Sequence, residues 1–458
     1  MTDNLRAPQL DGIPSLVEQA LSISSERPRA VRIEIPIAPI DPLGWLQAQP
    51  SPIKTYWADR EGSFVMAGIG AAHVVSGNDR FPPYGALFQR LRAGLSCAHP
   101  NLRYYGGVCF DSRRMADPRW MRWGTHRFLI PRFELLSTGA GTFLVCNAFC
   151  TNGDEDQREV NIIRRELGDI VLGSCEPQSG LPAIISRHDH PDVRHWSEMV
   201  AKALDAFQGG GFEKVVLARE SLFEFADVPD ALAILRRLSS AVGNAYLFMF
   251  QLCQGMAFLG ASPERLYRRV GGFIQSEALA GTRPRGSSDE ADAALAAVLL
   301  HDNKELREHR YVADSIRSAF KDLCKEIRED EEVSLVRLRD CQHLIRRFEG
   351  ILGDGKSDAD ILQALHPTPA VGGCPTGAAL EWIAKEEPFD RGWFAGPVGW
   401  VGYDSSEFAV SIRSGLIDGT THSLYAGAGI VSGSDAGREW TEVDDKLDTF
   451  SRVLTQDA

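Results

Sequence analysis

The chain has 458 residues, and its 49 Lys and Arg against 62 Asp and Glu give a formal net charge of −13. This acidic balance, without a basic block, argues against a nucleic-acid partner. No apolar run approaches the roughly 18 residues that a membrane span needs, and the N-terminus lacks the basic start and apolar stretch of a secretory signal. Because the nine cysteines are scattered without Cys-x-x-Cys spacing, we expect a cytoplasmic protein with reduced thiols and no membrane contact.

The first third of the chain is predicted to be mainly sheet. Strand-like runs occupy residues 30–37 and 63–72, and residues 127–147 form a longer strand-rich stretch. Hydrophobic residues make up 44% of the chain, which is ample material for a core. We predict an N-terminal strand-rich region, residues 1–190, that is part of the same layered fold as the catalytic region, residues 191–458.

Residues 176–192 are predicted to form a linker or crossing loop, because they contain three prolines and a Ser-Gly pair. His188 and His190 lie in this segment without a third ligand nearby, so we interpret them as linker residues rather than a metal site. The pattern of residues 196–207 predicts an amphipathic helix that ends at a run of three glycines.

A lysine and a glutamate then suggest proton transfer. Lys214 opens the apolar strand at 213–219, and Glu264 follows a proline about 50 residues later. An apolar setting disfavours the charged form of both groups, which would make them a base and an acid near neutral pH. The alternative is a lysine that protects a strand edge and a glutamate in a solvated turn.

Two predicted helices carry paired carboxylates. In residues 289–329, apolar positions recur at helical spacing, and Glu308 and Glu305 lie one turn apart at the head of that stripe. In residues 436–455, Glu439, Glu442 and Lys446 follow each other at spacings of three and four. Paired hard oxygen donors suit Mg²⁺ better than Zn²⁺, although a solvent-facing Glu–Lys ion pair explains the second helix equally simply.

Glycine-containing stretches at 277–285, 365–373 and 427–430 accompany these groups, and Arg413 lies on a strand-like run. Glycine lets backbone N–H groups approach an anion closely, and arginine offers a planar fork to a carboxylate. The implied ligand is small and anionic. Further strand-like runs lie at 244–252, 256–260, 271–276, 396–402, 408–417 and 423–431, which with the helices predicts sheets joined by hairpins and covered by helices.

In this order, these blocks closely resemble the chorismate-utilising enzymes, a family that includes isochorismate, salicylate, anthranilate and aminodeoxychorismate synthases. The resemblance covers about residues 190–455. Within the family, Leu-His-Pro-Thr-Pro-Ala at 365–370 is similar to isochorismate synthase, whereas amine-adding and salicylate-forming relatives usually carry threonine at the position of Ala370. The continuation at 371–374 departs from the commoner Leu-Ser-Gly.

The resemblance implies an α+β fold of the chorismate-binding (ADC synthase-like) type, with two mainly antiparallel β-sheets packed together and helices outside. It implies a Mg²⁺-dependent isochorismate synthase that acts on chorismate, in menaquinone or siderophore biosynthesis. We expect the chain to be a monomer. Two alternatives remain: a salicylate synthase or amine-adding chorismate enzyme, and a non-catalytic chorismate-binding protein.

Residue by residue, Lys214 matches the family base that activates water for attack at C2 of chorismate, and Glu264 matches the acid that protonates the departing C4 hydroxyl. Glu308 and Glu442 match the Mg²⁺ ligands, and the metal holds the ring carboxylate. The supporting carboxylates in this assignment are Glu305 and Glu439.

The remaining matches concern the pocket wall. Arg413 and Phe394 match side chains near the enolpyruvyl group, and Phe394 can only pack there. His343 matches a family histidine whose role stays open. The other matching wall residues are Gly281, Thr282, Ala370, Ile412, Gly427, Gly429 and Lys446.

Overall fold

The computed structural model describes most of the chain, and all structural statements below concern this part. The described residues are 12–23, 29–78, 84–113, 117–151, 155–175, 180–337 and 341–455.

The strands, in chain order, have the following bounds. They are β1 (Arg29–Ile37), β2 (Lys54–Ala58), β3 (Phe64–Ile69), β4 (His73–Gly77), β5 (Arg103–Val108), β6 (His126–Ile130), β7 (Phe133–Thr138), β8 (Gly141–Cys150), β9 (Ile184–His190), β10 (Lys214–Phe225), β11 (Tyr246–Cys253), β12 (Met256–Ser262), β13 (Arg265–Val270), β14 (Phe273–Pro284), β15 (Cys324–Glu329), β16 (Ser334–Arg337), β17 (Cys341–Leu352), β18 (Gly373–Cys374), β19 (Pro397–Gly402), β20 (Ser405–Val410), β21 (Ser414–Asp418) and β22 (Thr421–Val431).

The helices alternate with groups of strands. They are α1 (Ile13–Ile23), α2 (Pro42–Ala48), α3 (Tyr84–Ala93), α4 (Asp156–Gly168), α5 (Val193–Gln208), α6 (Ala231–Ala241), α7 (Asp289–His301), α8 (Asn303–Leu323), α9 (Asp358–Leu365), α10 (Thr376–Glu386) and α11 (Ala436–Thr455). None of them, over the described ranges, is long and apolar enough to cross a membrane.

Two antiparallel sheets form the framework. The larger has 12 strands in the order β1-β8-β7-β3-β2-β11-β12-β21-β22-β10-β18, with β9 also beside β10. The smaller has 10 strands in the order β15-β17-β14-β13-β20-β19-β5-β6-β4, with β16 also beside β17. Both sheets therefore contain strands from before and after residue 190, through the pairs β2–β11 and β5–β19.

The sheets pack against each other, and helices lie on their outer faces. Tyr246 on β11 of the larger sheet donates to Glu407 on β20 of the smaller at 2.7 Å, and Phe64 on β3 packs against Trp400 on β19. Helices α5 and α11 contact β22 of the larger sheet, while α8 contacts β14 and β17 of the smaller. This is the predicted α+β arrangement.

Three predicted element boundaries are wrong. The segment expected as a linker contains β9, whose pairing with β10 the polar side chains did not reveal; its residues 176–179 lie outside the described part. The single helix expected over 289–329 is two helices followed by β15, because Asp302 caps α8 and Ile327 pairs with Gly350 of β17. The run 408–417 is two strands, separated at Arg413 by a left-handed φ of 50°.

Candidate active site

Lys214 opens β10 within the larger sheet. It pairs with Val431 of β22 on one side and with Cys374 of β18 on the other. Its side chain is buried, and its Nζ lies 3.6 Å from Oε2 of Glu308. The amine of Lys214 is therefore enclosed and faces a carboxylate, and Lys214 is not a lysine at an exposed strand edge.

Glu264 lies in the turn between β12 and β13, and hydrogen bonds fix this turn. Ser262 Oγ donates to the carbonyl of Val410 at 2.5 Å, and the backbone N of Val410 donates to the carbonyl of Glu264 at 3.1 Å. Glu264 is only 3% exposed. The alternative of a glutamate in a solvated turn is therefore excluded, because the carboxyl is buried at the junction of the two sheets.

The environment of Glu264 favours its protonated form. Burial, and then the negative charge of Glu277, raises the pKa of Glu264 to about 8, while Lys214 and Lys446 act in the opposite direction. At neutral pH the carboxyl therefore retains its proton and is able to donate it.

The first pair of carboxylates lies at the start of α8. The side chain of Asp302 accepts from the backbone N–H groups of Lys304 and Glu305, which starts the helix at this position. Glu305 and Glu308 are both buried, one turn apart, on the face that continues with Val312. Burial and then the charges of Glu308 and Glu442 raise the pKa of Glu305 to about 7.

The second pair lies on α11, and lysines join it to α8. Lys304 Nζ donates to Glu439 Oε1 at 2.8 Å and lies 3.5 Å from Glu308 Oε1. Lys446 Nζ donates to Glu442 Oε1 at 2.7 Å and to the carbonyl of Gly427 at 2.8 Å. The Glu442–Lys446 pair is about two-thirds buried, so it is not the fully solvated ion pair of the alternative interpretation.

Two glycines leave room for these side chains. A Cβ on Gly429 would stand 2.5 Å from Glu308 Oε2 and 3.0 Å from Lys214 Cε. A Cβ on Gly281 would stand 3.1 Å from Glu305 Oε2, and Gly281 also has a left-handed φ of 79°. The glycines of these motifs are thus required by close approach of the charged groups.

His343 connects the wall of the cleft to Arg413. Its Nδ1 lies 2.9 Å from Thr282 Oγ1 and 3.3 Å from the carbonyl of Gly281, which can only accept, so we assign the ring proton to Nδ1. Nε2 then accepts from Arg413 Nη2 at 3.4 Å. Burial, followed by the charge of Arg413, lowers the pKa of His343 to about 3, which keeps the ring neutral.

Most of these groups line one cleft of about 910 Å³, including its solvent-open mouth. Glu439 is not among the lining residues; its carboxylate contacts Lys304 instead. The predicted residues that line the cleft are Lys214, Glu264, Gly281, Thr282, Glu305, Glu308, His343, Ala370, Phe394, Ile412, Arg413, Gly427, Gly429, Glu442 and Lys446.

Two charged residues that contact the candidate site were missed by sequence reasoning. Lys304 bridges the two helices, and its position four residues before Glu308 was the available signal. Arg391 lines the cleft and donates to the carbonyls of Val371 at 2.7 Å and Val216 at 2.8 Å. Arg391 also contacts Glu387, and their spacing of four was visible in the sequence. Its contacts with Val371 and Val216 were not, because these residues are remote along the chain.

The chain belongs to the chorismate binding enzyme family, whose model matches residues 15–455. Isochorismate synthase MenF of Escherichia coli is 33% identical over 434 residues, which cover 93% of this chain and 94% of that protein. The salicylate biosynthesis isochorismate synthase of Pseudomonas aeruginosa is 31% identical over 441 residues, covering 94% of this chain and 91% of that protein.

The structural comparison agrees with the family assignment. The solved structure of MenF, the menaquinone-specific isochorismate synthase from Escherichia coli, matches with a TM-score of 0.85 and 30% identity over 98% of this chain and 100% of that one. This match confirms the predicted chorismate-binding α+β fold.

Proposed function

We propose that the chain is an isochorismate synthase, which converts chorismate to isochorismate by adding water at C2 with loss of the C4 hydroxyl. The observation that carries this proposal is the single cleft in which Lys214 and the protonated Glu264 are brought together. The names of the similar proteins, which cover nearly the whole chain, support the same activity.

The proposed reaction moves one proton on each side of the ring. Lys214, in its uncharged form, takes a proton from the water whose oxygen bonds to C2. The ring double bonds shift as the C4–oxygen bond breaks, and Glu264 gives its proton to the departing hydroxyl, which leaves as water. The raised pKa of Glu264 supports the role of the acid.

Local cations have to attract the substrate, because chorismate is a dianion and the chain carries a net charge of −13. Arg413 and Lys446 both line the cleft. Arg413 is oriented by the neutral ring of His343, which leaves part of its fork for a substrate carboxylate. Phe394 stacks on Tyr425, with ring centroids 5.2 Å apart, and supplies a flat apolar wall.

The carboxylates of α8 and α11 fit Mg²⁺ by donor chemistry. The raised pKa of Glu305, caused by burial and by Glu308 and Glu442, supports a local deficit of positive charge. Among the described residues no three His, Cys, Asp or Glu side chains form a ready metal cage, but Mg²⁺ usually takes one or two carboxylates and completes its shell with water and substrate. Glu308 and Glu442 would hold it, and when bound it supplies the positive charge that neutralises these groups and holds the ring carboxylate.

The products formed from chorismate test the proposal directly. Purified protein is incubated with chorismate and Mg²⁺, with and without ammonium, and the products are separated by chromatography. Isochorismate as the sole product supports the proposal. Release of pyruvate, or ammonium-dependent amination, would instead indicate a salicylate-forming or amine-adding enzyme, and unchanged chorismate would favour a binding protein.

Removal of the metal should abolish turnover, because the clustered glutamates would repel the substrate carboxylates. We expect no isochorismate formation in EDTA and recovery on addition of excess Mg²⁺. A Mg²⁺-dependent rise in melting temperature without substrate, weakened in Glu442→Gln, provides a readout that does not require activity. Full activity of the metal-free protein would contradict the magnesium assignment.

The chemistry of the cysteines supports a cytoplasmic location. No disulfide joins any of the nine cysteines, all of which lie in the described part of the chain, as is usual in a reducing compartment. The similar proteins named above serve menaquinone or salicylate formation, and we propose that the product of this chain enters one of these two routes; identification of the neighbouring genes would distinguish them.

A further inference from the structure

Arg60 brings the N-terminal part of the chain to the candidate acid. It lies in the turn between β2 and β3, and its side chain is 14% exposed. Its guanidinium donates to both carboxylate oxygens of Glu277 on β14, at 2.5 and 3.0 Å, and to the carbonyl of Pro263 at 3.0 Å. One side chain therefore fixes both an anion and the residue just before Glu264.

Glu277 completes this arrangement from the other side. Its side chain is 3% exposed, and it accepts from the backbone N of Arg265 at 3.3 Å. Pro263 and Arg265, the two neighbours of Glu264, are thus both hydrogen-bonded to the Arg60–Glu277 pair. Displacement of either partner would move the backbone that carries the acid.

Charged groups face Glu264 from several elements. Burial and then Glu277 raise its pKa, while Lys214 of β10 and Lys446 of α11 lower it. Across the same cleft lie further groups, namely Glu305, Glu308, His343, Arg391, Arg413 and Glu442. Behind the turn, Arg265 Nε donates to Tyr246 at 2.8 Å, and Tyr246 donates to Glu407.

We propose that Arg60 and Glu277 form a positioning pair that holds Glu264 in the cleft wall and adjusts how strongly its carboxyl keeps its proton. Glu277 supplies the negative charge that favours the protonated acid, and Arg60 limits this effect by neutralising part of that charge. The catalytic consequence rests on the proposed function. Neither residue has to touch the substrate.

Removal of Arg60 and removal of Glu277 should shift the pKa of Glu264 in opposite directions. Because Glu264 has to be protonated to act, activity falls as the pH rises through its pKa. Glu277→Gln removes the neighbouring anion, which should lower the pKa of Glu264. We therefore expect the alkaline limb of the kcat–pH profile to shift to lower pH by on the order of one unit. Arg60→Gln leaves Glu277 without its cation, which should raise the pKa of Glu264, so we expect the alkaline limb to shift to higher pH by a similar amount.

Two further variants separate electrostatics from simple damage. Arg60→Lys keeps the charge and should leave the limb close to that of the unaltered protein. In the double variant, Arg60→Gln with Glu277→Gln, the pH of the alkaline limb should lie between those of the two single variants. Shifts of both single variants in the same direction, or lower activity with no shift, would overturn the proposal.

A readout without substrate distinguishes this inference from the proposed function. The ¹³C resonance of the Glu264 carboxyl, assigned by its loss in Glu264→Gln, is titrated in each folded variant. If the unaltered protein makes no isochorismate but the titrations move in opposite directions, the proposed function fails and the pair retains its effect on the acid. Unmoved titrations overturn the inference, whatever the enzyme produces. If Arg60→Gln does not fold, the shift in Glu277→Gln, measured by the kcat–pH profile and by the ¹³C titration, decides whether the inference holds.

Discussion

At the residue scale, Gly429 shows how closely the charged groups of the cleft pack against the sheet. This glycine lies on β22, directly opposite Val216 of β10. Its backbone does not require a left-handed φ, so the reason for glycine here is space: a Cβ would meet Glu308 Oε2 at 2.5 Å. The absence of a side chain on β22 thus allows the carboxylate of Glu308 on helix α8 and the side chain of Lys214 on β10 to approach each other.

We expect Gly429→Ala to lower kcat by on the order of 100-fold, because the new methyl group displaces both Glu308 and Lys214. The change is measured by initial rates of isochorismate formation. Gly139→Ala is the matched control, since nothing lies within 4 Å of a Cβ there. An unaltered rate in Gly429→Ala would show that the two side chains are free to shift without loss.

Loss of either proton-transfer group should affect chemistry far more than folding. We expect Lys214→Ala and Glu264→Gln each to lower kcat by about 10²- to 10⁴-fold with a circular dichroism spectrum like that of the unaltered protein. Lys202→Ala, which removes an exposed lysine paired with Glu386, should retain activity. Substantial turnover by either cleft variant would exclude the corresponding role.

At the element scale, the start of α8 explains both a success and a failure of sequence reasoning. The spacing of Glu305 and Glu308 was sufficient to predict that both lie on one buried face, and they do. The break before them was missed because the capping of α8 by Asp302 interrupts an otherwise continuous helical pattern. Ile327 fits that pattern too, but pairing with β17 outweighs the local preference.

Sequence reasoning could also not find partners that come from distant elements. Lys304 neutralises Glu439 on another helix, and Arg391 reaches the carbonyl of Val216 on β10. These contacts depend on how the elements are packed, which the spacing along one helix does not contain. Motif residues were therefore predictable, whereas the residues that support them were not.

A buried ion pair between Arg391 and Glu387 supports the segment around Ala370, because Arg391 also donates to the carbonyl of Val371. Loss of this pair should lower the stability of the fold. Arg391 and Glu387 are about 98% and 100% buried, and Glu387 also accepts from the backbone N of Ala218. Arg391→Met would leave this carboxylate uncompensated, so we expect a loss of about 3–5 kcal/mol in the free energy of unfolding. The value is obtained from urea unfolding.

A matched pair provides the control. Asp448 and Arg452 have the same spacing of four but are exposed. Arg452→Met should change the free energy of unfolding by less than about 0.5 kcal/mol. Equal effects of the two substitutions would mean that burial is not what makes the Glu387–Arg391 pair important.

At the scale of the whole molecule, buried imidazoles should make the fold sensitive to acid. Burial is the main cause that lowers the pKa of His309 and His366 to about 4, and that of His343 and His422 to about 3. In the unfolded chain these rings bind protons near pH 6.5. Their contribution to stability is therefore complete above that pH and is lost as the pH falls towards 3 to 4.

We expect the free energy of unfolding to decrease between pH 6.5 and 4, and the decrease to be smaller in His422→Phe. His422 has no hydrogen-bond partner for either ring nitrogen in the described part of the chain, so its replacement removes little else. Urea unfolding across this pH range measures the difference. Glu264 works in the opposite direction, because its raised pKa reduces stability as the pH rises from 4.5 to about 8. If the free energy of unfolding depends on pH identically in the unaltered protein and in His422→Phe, the role of His422 is contradicted.

The pairing of β2 with β11 and of β5 with β19 has a consequence for biosynthesis. While the ribosome is still adding residues, the early strands have open edges, and their neighbours do not exist until about residues 246–253 and 397–402 have emerged. Unpaired strand edges invite association with other nascent polypeptides. Completion of translation, rather than folding of one half after the other, therefore determines when both sheets can close.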